Sequence, residues 1–220
     1  MEHSFWHNCW QKNTIGFHQT HWHPYLEQHF KPLITQAHQH VLVPLCGKSS
    51  DMVWLAQHLN VVGAELSEIA CNDFFIEQGV APEKSSVKHG SDVYHRYQKD
   101  NITLYQGDFF SLENERLPAF DWIFDRAALV ALPESLQVDY ANKLKTFIDA
   151  GAQLFLISLE FPSAELTGPP FAICLPRVAQ LFDGYDIVQL AADELPDKVF
   201  AQRQFNVSRL KETLYVISAK

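Results

Sequence analysis

The chain has 220 residues, 47% of them hydrophobic, which predicts a single domain with a sizeable core. Its formal net charge of −9 argues against a nucleic-acid partner, because neutralising phosphates requires clustered Lys and Arg. No stretch approaches the roughly 20 apolar residues of a membrane span, so no membrane association is expected.

The first ten residues contain neither the basic region nor the apolar run of a signal peptide. The four cysteines lie far apart and form no CxxC pair, a pattern typical of reduced thiols. Both observations predict a cytoplasmic location.

Residues 1–40 differ in composition from the rest of the chain, with 8 of the 11 histidines and three of the five tryptophans. Apolar residues recur there at helical spacing, and a second helical pattern runs from about Trp22 to Ile34. We interpret residues 1–40 as an N-terminal helical lid on a core formed by residues 41–220. A pair of amphipathic helices packed on a sheet edge is the alternative, and it is compatible with a lid. The first pattern comprises Phe5, Trp6, Cys9 and Trp10.

The histidines between His18 and His23 suggest a metal site. Zinc needs three or four ligands held by a second shell, and neither an HExxH motif nor paired cysteines accompany these histidines. We therefore expect solvated histidines and no metal. A metal- or metalloid-binding protein that is not an enzyme is kept as an alternative.

Residues 41–65 have the pattern of a nucleotide-binding βαβ unit. A short apolar run breaks at Pro44 and reaches Gly47, a helical period follows, and a second apolar run ends at Glu65. Glycine allows the backbone to approach a ligand closely because it has no Cβ. Glu65, 18 residues after Gly47, is placed to accept hydrogen bonds from both ribose hydroxyls of a ligand.

The residues after Glu65 predict a further helix. Ser67 is a good N-cap, the helix is expected to run to about Gln78, and Gly79 predicts a left-handed residue at its end. The polar stretch that follows contains one short candidate strand, around Val93 to Tyr97.

The turn lacks the three glycines that admit a pyrophosphate in dinucleotide-binding proteins. In addition, Asp51 would repel a phosphate at the N-terminus of the helix. An adenosine ligand with a cationic sulfur and no phosphate suits these residues, and S-adenosylmethionine meets that description. A nicotinamide-dependent oxidoreductase is the second alternative, and it would require glycines at Cys46, Ser49 and Ser50.

Two later strands place polar residues where open α/β sheets bind ligands. The third core strand, around 102–105, is followed by Asp108, which is placed to accept a hydrogen bond from an adenine amino group. A loop acid beside two buried phenylalanines is the competing interpretation. The fourth strand, Phe120 to Arg126, is nearly all apolar, as in a central parallel strand, and leaves Arg126 at its carboxyl end.

Further apolar runs complete the predicted sheet at 152–159, 185–191 and 213–218, the last two joined by a hairpin. The fold class is therefore α/β: seven mostly parallel strands with helices on both faces. An antiparallel ending and one acid after the second strand favour the class I S-adenosylmethionine-dependent methyltransferase fold. Residues 1–220 are expected to form one such domain.

Seven motifs in order resemble the thiopurine S-methyltransferase family in its bacterial form. Together they extend over most of the chain: Trp6-His7-Asn8-Cys9-Trp10, Ile15-Gly16-Phe17-His18-Gln19, PLCGKSSD from Pro44, GAELSE from Gly63, GDFF from Gly107, DRAALVALP from Asp125, and GPPF from Gly168.

The resemblance implies roles for individual residues. The positions that match the family's cofactor contacts are Trp10, Leu45, Glu65 and Arg126. Phe17 matches an aromatic residue that packs over cofactor and substrate, and Arg126 also matches a position close to the substrate. One departure is Glu160-Phe161, where family members often have Asp-Tyr, so the substrate preference stays open.

The expected reaction is transfer of a methyl group from S-adenosylmethionine to a small thiol, with S-adenosylhomocysteine as product. An aromatic thiol is largely ionised near neutral pH, so Arg126 is the one residue assigned a catalytic role, as partner of the anion. The natural acceptor is open among sulfur, selenium and tellurium compounds, which includes a role in metalloid resistance. The expected oligomeric state is a monomer.

Overall fold

The computed structural model describes residues 3–36 and 39–220. The described chain divides into two compact units, which meet in sequence between Asp121 and Trp122. We call them the N-terminal unit and the C-terminal unit. Residues 1, 2, 37 and 38 of the predicted lid lie outside the described residues.

The N-terminal segment contains the two predicted helical regions. Helix α1 spans His3–Gln11, and a π-helical turn, Leu26–Phe30, runs into a 3₁₀ turn, Lys31–Leu33. Trp10 is the buried residue of α1, whereas Leu26 and Phe30 are both completely buried. The second region is therefore attached to its unit by apolar packing over more of its length than α1 is.

The sheet of the N-terminal unit contains the predicted parallel strands and two further strands. Strands β1, β2 and β5 pair in parallel, with β2 in the middle. Strand β4 pairs antiparallel with β5, and β3 pairs antiparallel with β4. The sequence indicated only part of β4, because most side chains of β3 are exposed and show no apolar alternation. The bounds are β1 (His40–Pro44), β2 (Asn60–Glu65), β3 (Glu83–His89), β4 (Asp92–Lys99) and β5 (Ile102–Gln106).

Two helices connect the parallel strands. Helix α2 (Asp51–Leu55) is shorter than its apolar pattern predicts, and helix α3 (Glu68–Glu77) follows β2. The Ser67 hydroxyl accepts a hydrogen bond from the Ala70 N–H, 3.3 Å away, so the predicted N-cap is confirmed. Gly79, with φ of +67°, ends α3 in the left-handed conformation that sequence also predicted.

The C-terminal unit contains the remaining predicted strands. Strands β6 and β7 pair in parallel, β11 pairs antiparallel with β7, and β8 pairs antiparallel with β11, which confirms the antiparallel ending. Two short strands, β9 and β10, form a separate ribbon. The bounds are β6 (Trp122–Arg126), α4 (Glu134–Asp149), β7 (Gln153–Glu160), α5 (Leu175–Leu181), β8 (Asp186–Glu194), β9 (Val199–Phe200), β10 (Arg203–Gln204) and β11 (Lys211–Ser218).

Among the described helices, none is both long and apolar enough to cross a membrane.

Gly107, just after β5, is packed against an aromatic ring. A Cβ at this position would lie 2.4 Å from two ring carbons of Tyr94. Tyr94 is 1% exposed, and its hydroxyl donates a 2.6 Å hydrogen bond to the Asp108 carbonyl, so the ring has little room to move. Only glycine fits between β5 and Asp108.

We expect Gly107→Ala to lower the free energy of unfolding by about 1–3 kcal/mol, because overpacking displaces a fixed ring. Urea denaturation measures the change. Gly79→Ala is the matched control, since it also has positive φ but its Cβ would meet nothing within 4 Å. A loss for Gly107→Ala no larger than that of the control would contradict tight packing.

Candidate cofactor site

The glycine turn between β1 and α2 has an unusual backbone. Leu45 and Gly47 both have left-handed φ values, +48° and +54°. Non-glycine residues rarely adopt this conformation, and such strain is concentrated at functional sites. The Cys46 N–H donates to the Ala64 carbonyl at 3.0 Å, which connects the turn to β2. Leu45 and Gly47, two predicted site residues, thus lie in one strained turn.

Glu65 is hydrogen-bonded to this turn. One carboxylate oxygen accepts the Gly47 N–H at 2.8 Å, and the other accepts the Ser67 N–H at 2.7 Å. Glu65 is only 6% exposed, and this burial raises its pKa, while the backbone hydrogen bonds act in the opposite direction. The Leu66 N–H also acts on this carboxylate. The two oxygens of an ionised carboxylate together have four acceptor sites, so these three backbone donors leave an acceptor site for a ligand.

The aromatic residues predicted to cover the cofactor form a cluster next to the turn. A Cβ on Gly47 would lie 3.2 Å from the Trp10 ring, so the indole packs directly against the glycine. Phe17 contacts Trp10 edge to face at 5.9 Å and Trp6 at 5.8 Å between ring centroids. The absent Cβ of Gly47 therefore admits a tryptophan of the N-terminal segment, a contact that the sequence did not indicate.

Asp51 attaches the N-terminal segment to the same turn. Its carboxylate is fully buried and accepts the His23 N–H at 2.8 Å and the Ser49 hydroxyl at 2.9 Å. The Ser50 hydroxyl donates to the Gln19 carbonyl at 3.0 Å. The sequence predicted only that Asp51 would repel a phosphate. Its position next to the apolar residues of α2 was the one indication that its carboxylate would be buried.

The charges of the turn do not form a phosphate site. Lys48 donates to Glu77 of α3 at 2.6 Å and lies 3.8 Å from Asp73, so its ammonium is directed towards two carboxylates. His18 lies 3.8 Å from the other oxygen of Glu77. Together with the carboxylate of Asp51 at the start of α2, this arrangement disfavours a phosphorylated ligand.

Cys46 lies in the turn but is not suited to nucleophilic chemistry. The thiol is buried, and both burial and the nearby Glu65 raise its pKa, so it stays protonated. Among the described residues, no group of three or more His, Cys, Asp or Glu side chains is arranged to bind a metal.

Asp108 has a structural role in the described chain. One of its oxygens accepts the Phe110 N–H at 3.0 Å and caps the 3₁₀ turn Phe109–Ser111, while the other lies 3.9 Å from the His3 ring. The Gly107 N–H donates to the Glu65 carbonyl at 2.9 Å, which places the loop containing Asp108 beside the end of β2. A contact to adenine stays a prediction.

Arg126 belongs to the C-terminal unit. It is the last residue of β6, is partly buried, and lies opposite Ile157 of the parallel strand β7. The carboxyl end of a parallel strand is where α/β sheets bind ligands, as the sequence predicted.

Comparison with known proteins identifies the family. The family model for thiopurine S-methyltransferase matches residues 1–220. The chain belongs to the thiopurine S-methyltransferase family. Relatives named thiopurine S-methyltransferase include one from Photobacterium profundum, 39% identical with 99% of each chain covered, and one from Pseudomonas paraeruginosa, also 39% identical with 99% of each covered. Another, from Vibrio vulnificus, is 40% identical, with 97% of this chain and 96% of the relative covered.

Solved structures show the same fold at low identity. An S-adenosylmethionine-dependent methyltransferase from Anabaena variabilis has a TM-score of 0.65 at 13% identity, covering 99% of this chain and 95% of its own. A Burkholderia thailandensis N1-methyltransferase, solved with 1,6-didemethyltoxoflavin and S-adenosylhomocysteine, has a TM-score of 0.60 at 10% identity, covering 98% and 87%. The predicted class I methyltransferase fold is confirmed.

Family membership decides between the functions that the sequence left open. The chain is an S-adenosylmethionine-dependent methyltransferase, and S-adenosylmethionine is its cofactor. The residues of the N-terminal unit fit this molecule, because Glu65 is a buried carboxylate that can accept from a hydroxyl and because Lys48 of the turn is paired with the carboxylates of α3 and is not directed to a phosphate. A nicotinamide-dependent oxidoreductase would instead need glycines in this turn and a favourable charge for the pyrophosphate.

We expect Glu65→Gln to weaken S-adenosylhomocysteine binding roughly 10- to 100-fold, measured by isothermal titration calorimetry. The amide has one acceptor oxygen where the carboxylate has two, and its NH₂ would face a backbone N–H. Because protonation also removes an acceptor, wild-type affinity should fall as the pH drops towards the raised pKa of Glu65.

Glu68→Gln is the matched control, since Glu68 is exposed in the first turn of α3. Wild-type affinity in a folded Glu65→Gln variant would contradict the ribose assignment.

Proposed function

We propose that this enzyme transfers a methyl group to the sulfur of a small aromatic thiol of the thiopurine class. The observation that carries the proposal is Arg126, a partly buried cation at the carboxyl end of β6. The names of the full-length relatives support a thiol acceptor. Arginine suits this task because its planar group stays charged and donates several hydrogen bonds.

The residues of the chain bind and orient, and they do not activate the nucleophile. When bound, S-adenosylmethionine supplies a methyl group on a cationic sulfur. Glu65 accepts hydrogen bonds from the ribose, Leu45 and Gly47 form the turn beside it, and Asp108 accepts from the adenine. The acceptor sulfur must lie about 3 Å from the methyl carbon and in line with it, and Arg126 stabilises its negative charge during alignment.

The N-terminal segment covers the cofactor, with Trp10 and Phe17 as the contacting residues. The contacts of this segment favour a mobile lid that is shorter than residues 1–40. The stretch from His23 to Leu33 is attached by the Asp51 hydrogen bond, by buried Leu26 and Phe30, and by a 2.7 Å hydrogen bond from Trp54 to Glu27. Helix α1 is held by its buried residue Trp10 and by the approach of His3 to Asp108, 3.9 Å away, without the paired hydrogen bonds and buried apolar residues of the later stretch, so we assign the lid movement to α1.

Selenols and tellurium-containing anions share the soft, easily ionised character of aromatic thiols, and we include them among the acceptors. Metalloid resistance would follow from their methylation. We further propose a monomeric, cytoplasmic enzyme. Antiparallel pairing of two copies through the exposed strand β8 would place Asp186 against Glu194, and facing like charges are destabilising. All four cysteines are free thiols, as expected in a reducing compartment.

An acceptor screen tests the proposed reaction. We expect thiophenols, mercaptopurines and benzeneselenol to be methylated and catechols, phenols and anilines to be refused. Alcohols need a general base, and the proposed mechanism contains none. Product formation is followed by mass spectrometry with S-adenosylmethionine as donor. Efficient methylation of a catechol, or refusal of every thiol and selenol, would exclude the proposed acceptor class.

Hydrogen exchange tests the lid. We expect amides of residues 5–11 to exchange more slowly once S-adenosylhomocysteine is added, because a bound ligand stabilises the closed position of α1. Amides of residues 26–33 should be protected to the same degree with and without ligand, which makes them the internal control. Equal exchange of residues 5–11 in both states would rule out a lid at α1.

A further inference from the structure

Asp125, next to Arg126, is a carboxylate within a buried strand. It is 1% exposed, and its β7 register partner is the apolar Leu156. One oxygen accepts a 2.7 Å hydrogen bond from the Tyr140 hydroxyl of α4, and the other accepts the Leu129 N–H at 3.2 Å. A buried acid is costly unless it is hydrogen-bonded, so this placement requires an explanation.

The hydrogen bonds of Asp125 determine the course of the chain after Arg126. Ala127 has a φ of +65°, a left-handed conformation that residues with a Cβ rarely adopt. The next residues turn back so that the N–H groups of Ala128 and Leu129 face the Asp125 carboxylate, and both favour its charged form. The carbonyl of Val130, the residue after this turn, accepts a 2.6 Å hydrogen bond from the Phe171 N–H. It thus connects Arg126 to the GPPF loop.

We propose that Asp125 and Tyr140 are positioning residues for Arg126. The ionised carboxylate holds the turn 127–129 in its strained conformation, and this conformation sets the direction in which the Arg126 side chain leaves β6. Tyr140 fixes the carboxylate from α4. The inference rests on the proposed function, in which Arg126 orients the anionic acceptor.

The pH dependence distinguishes positioning from a purely structural role. Burial raises the pKa of Asp125 to about 6, against the effect of its hydrogen-bond donors. The group facing it from α4 is Tyr140, whose own pKa is raised by burial and by Asp125, and Arg126 is its neighbour along β6. As the pH falls through about 6, Asp125 takes up a proton and accepts the backbone hydrogen bonds less well, so turnover should fall.

As the pH falls through about 6, the contribution of Asp125 to the free energy of unfolding should rise while turnover falls. Because the pKa in the folded state lies above the unfolded value near 3.8, the folded state binds this proton more tightly. The contribution of Asp125 to stability is therefore greatest below the unfolded pKa and is lost as the pH rises through about 6. If protonation of Asp125 stabilises the folded state but lowers turnover, the ionised side chain has a role in activity that is separate from stability.

The experiment compares Asp125→Asn and Tyr140→Phe with a matched Asp–Tyr pair at the end of the same helix α4. Tyr185 donates a 2.7 Å hydrogen bond to Asp149, the last residue of α4, at the surface. Asp149→Asn and Tyr185→Phe make the same chemical changes away from the β6 turn. Measured quantities are kcat and KM for a thiophenol, Kd for S-adenosylhomocysteine, Tm, and hydrogen exchange at residues 127–130, between pH 5 and 8.

At pH 8 we expect Asp125→Asn to lose roughly 10-fold or more in kcat/KM for the thiol, Tyr140→Phe to lose less, and cofactor Kd to change little. Exchange at residues 127–130 should rise in both variants and in neither control. Towards pH 5 the wild-type and Asp125→Asn activities should converge, while the Tm of the wild type should rise relative to that of Asp125→Asn.

Arg126→Lys separates this inference from the proposed function. Lower thiol turnover in Arg126→Lys with normal turnover in Asp125→Asn would overturn the positioning role and leave the function standing. If the wild type methylates no thiol, the proposed function falls, and hydrogen exchange alone decides the positioning role. Unchanged exchange at residues 127–130 in Asp125→Asn would overturn that role in either case.

Discussion

The candidate cofactor site depends on one buried carboxylate, Glu65, which is hydrogen-bonded to the two loops beside it. Glu65 must be hydrogen-bonded to remain in its apolar surroundings, and it finds its donors in the N–H groups of Gly47 and Ser67. The first of these belongs to the strained turn after β1 and the second to the cap of α3. One side chain at the end of β2 therefore holds two loops, and both loops in turn restrict its movement. A site arranged in this way needs little reorganisation when a ribose binds.

The C-terminal unit repeats this construction at a different strand. Asp125 lies near the end of β6, and its donors are again the backbone N–H groups of the following turn, joined here by a tyrosine hydroxyl. In both units a buried acid is hydrogen-bonded to the loop beside a residue that we propose to be functional. In both, the adjacent backbone is left-handed at a residue other than glycine, Leu45 or Ala127. Hydrogen bonds of buried carboxylates are strong enough to maintain such conformations.

The charges near the glycine turn explain why an acidic protein can bind an adenosine derivative. Lys48 is directed to carboxylates of α3, and Asp51 is occupied by the N–H of His23. The turn is left without a cation for a phosphate, while a ligand with a positive sulfur meets no repulsion there. Asp51 has a second consequence, since it attaches the stretch from His23 onwards and so leaves α1 as the part of the N-terminal segment with fewer attachments.

Local patterns in the sequence were sufficient for much of the fold. Apolar runs predicted the parallel strands, and Ser67 and Gly79 predicted the ends of α3, because capping depends on residues a few positions apart. Strand β3 could not be predicted, since its exposed polar side chains lack an alternating pattern and its pairing with β4 comes only with the folded chain. The position of Glu65 at the end of β2, beside the Gly47 turn, was predicted correctly because its distance from Gly47 along the chain reflects one βαβ unit.

Contacts between distant segments were decided by tertiary structure alone. The packing of Trp10 on Gly47 and the hydrogen bond from His23 to Asp51 join residues far apart in sequence, and no local period encodes them. Asp125 was visible in the sequence only as an acid within an apolar strand, and its donors became apparent once α4 had placed Tyr140 beside it. The sequence by itself determined most of the elements and the family, and it predicts Glu65 as the ribose acid, because these inferences depend on motifs and spacing along the chain. The tertiary structure decided which buried carboxylate holds which loop, because a hydrogen bond depends on distance and direction in space.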